Sequence, residues 1–344
     1  EKFEEMNYYS YFCNNRIRHA SHKNSEPGRV FLLYLLVMST FRIYTKQALS
    51  IPNQIALLKN RGLQIDDESL ASKFLSEVSY FRLVQYLRPM EADKTTHKFK
   101  PNSRFEDAIA LYEFDNELRN LIFRAIQKLE IALRTKIIHE FSIAHGPFWF
   151  FDTNLADDEH KFIENMNAID REILRSKDEF IKEHKKNYTK PSFPPAWKTL
   201  EIVSLGTLSK LYYNFNDKKS KKNIARQFNL PQQEVLESWM RSLTVLRNCC
   251  AHHSRLWNRY LTNAPQIKAS LRGAWIDINK IETNKLYAII CCIAYWLDAI
   301  DYGSEFKRKL KILISSYTQV NPKAMGFPSD WMKEPLWKQS TMSK

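Results

Sequence analysis

The sequence predicts an all-α protein, a helical bundle, and three observations carry that expectation. Only seven glycines occur in 344 residues, so tight turns are scarce. From Phe105 to Phe141 neither Gly nor Pro intervenes, and Ile109, Tyr112, Leu118, Ile122, Ile126, Leu129, Leu133 and Ile137 recur at helical spacing. The sequence contains no glycine-rich phosphate loop, no strand-rich nucleotide fold and no G-x-S-x-G elbow, which argues against nucleotide-cofactor enzymes and serine hydrolases.

Residues 1 to 37 mix Asn, His, Arg and Tyr without periodicity, and Met38 is a candidate true start. The expectation for 1–43 is an over-extended reading frame or a disordered tail, against the alternative of a functional extension. Ser50 then reads as an N-cap, with Pro52 in the first turn, Ile55, Leu57 and Leu58 as apolar positions and Gly62 as the stop. A second helix is expected from about Asp67 to Met90, burying Leu70, Phe74, Val78, Phe81 and Tyr86, followed by a polar loop from Glu91 to Ser103. The segment from Phe105 to Phe141 is one very long helix or two with a kink.

Gly146-Pro147 breaks the pattern, and Phe148-Trp149-Phe150-Phe151 reads as a core plug rather than a base-stacking platform. Asp157 to Lys190 is highly charged and suggests an exposed helix with mobile ends. The proline cluster from Pro191 to Pro195 is the expected domain boundary. It separates an N-terminal helical region, 44–190, from a second helical domain, 191–320, with 321–344 as a tail. Within the second domain, helices are expected from Trp197 through Tyr213, from about Gln232 to Leu246, and from Leu286 to Ile300.

Fifty-two Lys and Arg against 38 Asp and Glu leave a net charge of +14, which favours a polyanionic partner, whether nucleic acid or acidic lipid. The densest basic patch is Asp217-Lys218-Lys219-Ser220-Lys221-Lys222. It is either a solvated turn or an RNA contact through Lys218, Lys219, Lys221 and Lys222. A second basic run is Lys307-Arg308-Lys309 with Lys311. The apolar stretch Val30 to Met38 falls short of the roughly 20 residues that a membrane helix needs, so no membrane association is expected. Five cysteines, four of them in adjacent pairs, suit reduced thiols and a cytoplasmic location better than a disulfide framework.

The most informative stretch runs from Arg247-Asn248-Cys249-Cys250-Ala251-His252-His253 to Asn258. RNA carries its own nucleophile in the 2′-hydroxyl, so cleavage needs only a proton-moving group and a cation for the phosphoryl charge. Histidine and arginine supply both. On a helix Asn248 and His252 share a face, whereas Arg247 and His252 lie about 140° apart, so the arginine would have to curl round to the histidine. The bare spacing recurs at Arg134 and His139, where Ile137 and Ile138 suggest a core helix and Glu130 offers an ordinary ion pair. A zinc site built from Cys249, Cys250, His252 and His253 is disfavoured, because adjacent helical residues diverge and no C-x-x-C or H-x-x-x-H pair completes the set. Buried packing is the better reading for Cys249, Cys250, Cys291 and Cys292.

The run RNCCAHHSRLWNR resembles the Abi-like (AbiD/AbiF type) abortive-infection proteins, members of the HEPN superfamily of all-helical ribonucleases. The resemblance extends from about Tyr44 over most of the chain. It includes Leu58-x-x-Arg61-Gly62-Leu63, Leu111-Tyr112-x-Phe114-Asp115-x-x-Leu118-Arg119 and Glu130-x-x-Leu133-Arg134. It continues through Pro195-x-Trp197, Glu201-x-x-Ser204-x-Gly206-x-Leu208-Ser209 and Met325-Gly326-Phe327-Pro328-x-x-Trp331.

The resemblance implies a HEPN-type bundle with an additional N-terminal helical region. It also implies a toxin-like, metal-independent endoribonuclease with Arg247, Asn248 and His252 as catalytic residues and RNA as substrate, completed by homodimerisation. His253, Asn258, Glu130 and Arg134 are supporting candidates. No metal or other cofactor is expected, and a small RNA is the implied inhibitor, as in some relatives. The alternative is a non-cleaving RNA-binding or phage-sensing module.

Overall fold

The computed structural model describes residues 45–191 and 193–338. The candidate start at Met38, the apolar run Val30 to Met38 and Cys13 lie outside the described residues. The chain divides between Asn53 and Gln54 into two units, and the fold below is that of the second. Among the described residues there are twelve α-helices and one two-stranded antiparallel sheet. No helix there is long and apolar enough to cross a membrane.

The early helices are α1 (Ile51–Asn60), α2 (Glu68–Val78) and α3 (Tyr80–Leu87). Asp67 caps α2, its carboxylate accepting the Leu70 N–H at 2.9 Å. The single helix expected from Asp67 to Met90 is therefore two. Ser79, at φ 67°, interrupts it and caps α3 by accepting the Arg82 N–H. A serine hydroxyl that competes for backbone donors breaks a helix without any Gly or Pro signal. The break resets the helical phase: Leu75, Leu83 and Leu87 are buried, whereas Leu70 and Phe81 are exposed. The expected loop after α3 holds the hairpin β1 (Glu91–Asp93) and β2 (Lys98–Phe99).

The axis of the fold is α4 (Phe105–His145), one unbroken helix of 41 residues and about 60 Å. It ends at Gly146, whose φ of 83° suits glycine and whose N–H reaches the Ser142 carbonyl at 2.9 Å. Packed along it are α3, α9 (Lys218–Gln227), α10 (Gln233–Ala251), α11 (Leu286–Asp298) and α12 (Gly303–Ser316). Every residue of α11 from Leu286 to Leu297 is buried, so it forms the centre of the bundle. Trp149 is buried against Phe141 and Phe215, and Phe150 against Trp149 and Phe193, as the core-plug reading of that aromatic run expects.

The charged span after Asp157 is not simply an exposed helix. It forms α5 (Glu159–Arg175) and α6 (Glu179–Asn187), and α5 buries Phe162, Ile169 and Ile173 while packing on α8 (Leu205–Asn214). Nor does the cluster from Pro191 to Pro195 separate one core from another. The short helix α7 (Ala196–Thr199) begins there, the Ala196 N–H donates to the Pro147 carbonyl at 2.8 Å, and residues on both sides belong to one apolar cluster running from Phe114 to Trp337. The described part of the expected tail, 321–338, belongs to that core as well. Trp337 is fully buried and its indole N–H donates to the Tyr287 hydroxyl at 2.9 Å.

Candidate functional site

The helix α10 carries Arg247 and Asn248 in its last turns and ends at Ala251. Its termination is chemically defined: the His253 N–H returns to the Cys250 carbonyl at 3.1 Å and the Ser254 N–H to the Cys249 carbonyl at 2.8 Å. This is a Schellman stop with His253 in the left-handed position that glycine usually takes, at φ 53°. His252 is the capping residue, joined to the helix through its N–H to the Asn248 carbonyl at 3.0 Å. Asn248, His252 and His253 are all exposed, whereas Cys249 and Cys250 face inward.

The backbone after this stop is pinned by a buried carboxylate that composition and motif reading left without a role. Asp115 of α4 accepts the Leu256 N–H at 3.2 Å, the Trp257 N–H at 2.6 Å and the Tyr86 hydroxyl at 2.7 Å, and it pairs with Arg119 one turn on. Burial pushes its carboxyl above the ordinary range, and Arg119 and these donors pull it back. The signal was present in the Asp115-x-x-Leu118-Arg119 spacing, but the backbone amides that Asp115 clamps, those of Leu256 and Trp257, lie more than a hundred positions away in sequence.

Arg247 does not curl round to His252. It faces α4, with Nε 3.8 Å from Glu130 Oε2 and without a hydrogen-bond partner, and its side chain is one-third exposed. Glu130 also pairs with Arg134 at 3.2 Å, the ordinary i,i+4 ion pair that the sequence suggests. Arg134 is buried and donates to the Leu200 carbonyl, so it fixes α4 to the end of α7. His139 is exposed on α4, in a different cleft beside Trp197 and Glu201. Glu130 thus stands beside Arg247 without hydrogen-bonding it, while Arg134 and His139 do not form a second copy of the motif's arrangement.

What lines the cleft around His252 and His253 is a set of arginines that sequence reasoning missed: Arg82 of α3 with Arg255 and Arg259. The Arg82 guanidinium donates to the His253 carbonyl at 2.7 Å and Arg255 donates to the Gln85 carbonyl at 3.0 Å, so α3 and the loop after α10 are laced together. Among the described residues no carboxylate lines this cleft. Arg255 and Arg259 stand within the motif run, but nothing in the sequence brings Arg82 there. Asn258, also at positive φ, lies 3.5 Å from the Lys285 ammonium and is held by it.

The basic patch expected to touch RNA is the first turns of α9, not a turn between helices. Asp217 caps it by accepting the Lys219 and Ser220 N–H groups at 3.0 and 3.1 Å. Lys218, Lys219 and Lys222 are exposed, whereas Lys221 is buried and pairs with Glu237 at 3.0 Å, so it cannot reach a phosphate. In the later run Lys307 pairs with Asp298, Lys309 with Glu305 at 2.6 Å, and Lys311 donates to the Trp337 carbonyl, which leaves Arg308 exposed. Burial, with Cys249 alongside, pushes the Cys250 thiol up to about 12. Cys291 and Cys292 are fully buried in α11.

These residues define a class: an all-helical protein with a histidine exposed at a helix end, in a cleft of arginines pinned to the longest helix. The chain belongs to the family of Abi-like proteins, whose family model matches residues 73–258, more than half of its length. That span contains Asp115, Glu130, Arg247 and His252. No curated protein and no solved structure matches the chain.

Proposed function

We propose that this protein is a HEPN-type, metal-independent endoribonuclease acting as a toxin in abortive-infection defence. The observation that carries this reading is the exposure of His252 at the end of α10 in a cleft lined, among the described residues, by three arginines and no carboxylate. An imidazole there moves protons between the 2′-hydroxyl and the 5′-leaving oxygen, and a guanidinium holds the phosphoryl oxygens as charge builds on them. Arg247 is the residue for the second task, with Glu130 beside it, and Asn248 orients the exposed face of the same turn. Because Arg247 and His252 point in different directions within one chain, a second copy supplies the opposite wall, and the working form is a homodimer. The products carry 2′,3′-cyclic phosphate and 5′-hydroxyl ends.

His252→Ala is expected to lower cleavage by about 10²- to 10⁴-fold, the usual loss for a general acid or base. Arg247→Lys is expected to fail as well, since an ammonium cannot make a planar two-pronged contact. The assay is gel analysis of a labelled RNA in EDTA, with DNA of the same sequence as a substrate that should survive. Parent-level cleavage by either variant would end the assignment.

A second reading is favoured by one observation: Arg247 directs Nε at Glu130 and is absent from the His252 cleft. In that case the basic surface grips RNA without cutting it, as a sensing module. Growth arrest on induction that disappears with His252→Ala, while RNA binding persists, distinguishes cleavage from mere binding.

A further inference from the structure

We infer that a single RNA strand runs from the His252 cleft along a cationic track formed by α3, the β1–β2 hairpin and the loop after α10. This inference rests on the reading of the protein as RNA-cleaving and adds where the substrate lies. Two clefts meet at Arg255. One holds Phe81, Arg82, His252, His253 and Arg259, and the other holds Arg88, Lys94, His97, Lys100 and Asn258. Across both, among the described residues, the carboxylate present is Glu91, which lies 3.2 Å from the His97 ring.

Some surface cations are paired and others, such as Lys218, Lys219 and Lys222 on α9, are not; what sets this track apart is that its unpaired cations line two adjoining clefts. Lys59, Arg104, Lys161, Arg175, Lys280 and Lys309 each sit against a carboxylate. Among the described residues Arg82, Arg88, Lys94, Lys100, Arg255 and Arg259 have no such ion pair. Four of them use hydrogen bonds to carbonyl groups instead: Arg82 to His253 at 2.7 Å, Arg255 to Gln85 at 3.0 Å, Arg259 to Arg255 at 3.2 Å and Lys100 to Pro89 at 2.9 Å. These bonds fix the side chains and leave the positive charge uncompensated. At Arg255 burial, with Arg259 and Arg88 nearby, presses the guanidinium below its ordinary value, against the pull of Asp115 and Tyr86. A polyphosphate backbone is the ligand that neutralises several such charges in succession.

One apolar residue selects a single strand. Phe81 lines the cleft beside His252 yet is 83% exposed, the most exposed large hydrophobic residue described. An open aromatic face in a basic groove stacks on an unpaired base, and a duplex, with its bases already stacked, has none to offer.

The test uses the full chain and a short fluorescent 2′-O-methyl RNA, in which the nucleophile is blocked, read by anisotropy over a salt series. Arg88 and Lys94 are exposed, so Arg88→Ser with Lys94→Ser leaves the core intact. Losing two phosphate contacts should weaken binding about 10- to 30-fold near 0.1 M salt and reduce the log–log salt slope by about 1.4. Phe81→Ala should weaken the single strand by about 5- to 100-fold and leave a duplex of the same length unaffected. The control is Lys218→Ser with Lys222→Ser, the same charge change on α9, which should alter binding far less. Unchanged binding in the track variants, or equal losses in track and control, overturns the track.

The two readings fail separately. Parent-level binding and cleavage by the track variants, with cleavage abolished by His252→Ala, sinks the track alone. A parent that binds through the track but leaves unmodified RNA intact sinks the nuclease alone.

Discussion

Asp115 is the residue on which the geometry of the histidine cleft depends most. Its two oxygens take backbone N–H groups from Leu256 and Trp257 and side-chain donors from Tyr86 and Arg119, all within the protein interior. An amide in its place removes the charge that Arg119 faces and turns one acceptor into a donor against donors. Asp115→Asn is therefore expected to destabilise the protein by about 3–5 kcal/mol, as breaking one half of a buried ion pair does. It should also speed hydrogen exchange at the Leu256 and Trp257 amides. Denaturant unfolding together with amide exchange tests this, and parent-like values in both would show that the network is dispensable. His252 belongs to the same scale but behaves differently: it is exposed, caps a helix, and its replacement should change chemistry with little effect on folding.

At the scale of elements, helix ends do most of the positioning. Ser79 separates α2 from α3 and so sets the direction in which Arg82 leaves α3 toward His253. The start of α9 shows how a basic helix N-terminus is tolerated: Lys218 and Lys219 oppose the helix dipole, and the Asp217 carboxylate offsets them. Burial opposes ionisation of Asp217, yet hydrogen bonds from Ser220 and His145 bring its carboxyl down to about 2.

A carboxyl lowered in the folded state contributes stability that is complete above its unfolded value and lost as the pH falls toward the folded one. Asp217→Ala should cost about 0.5–2 kcal/mol at neutral pH, the range for loss of a side-chain cap. The gap between parent and variant should then narrow as the pH falls through about 4 toward 2. Urea titrations across that range measure it, and a gap undiminished at pH 2 would contradict the assigned cause.

For the molecule as a whole, one apolar cluster joins α4 to the residues around Trp337 and passes beneath the proline cluster. Shared burial of this kind makes unfolding cooperative. Residues 54–338 are expected to unfold in a single transition that coincides by circular dichroism and tryptophan fluorescence. A cut at residues 190 and 191 should yield no independently folded half, because α4 would lose α9 to α12. Two separated transitions would restore the proline cluster as a domain boundary.

The helical class, the long helical span of α4, the aromatic plug and the burial of four cysteines were legible in the chain, because periodicity and composition report directly on which faces meet water; that α4 runs without a kink was not. The stretch around Arg247 and His252 was legible too, as a pattern of residue types. What escaped were features made by partners far apart in sequence. These are the clamp of Asp115 on the Leu256 and Trp257 amides, the burial of Lys221 against Glu237, and the gathering of Arg82 with Arg255 and Arg259, while the break at Ser79 escaped because a local serine cap carries no Gly or Pro signal. Local chemistry determined by itself that helices form and where a proton-moving group and a guanidinium stand near each other along the chain. Only the tertiary structure decided which way each points: Arg247 toward Glu130 and His252 into an arginine-lined cleft. The physical reason is that a side chain's direction is set by the packing of its helix against others, and that packing is a property of the assembled core.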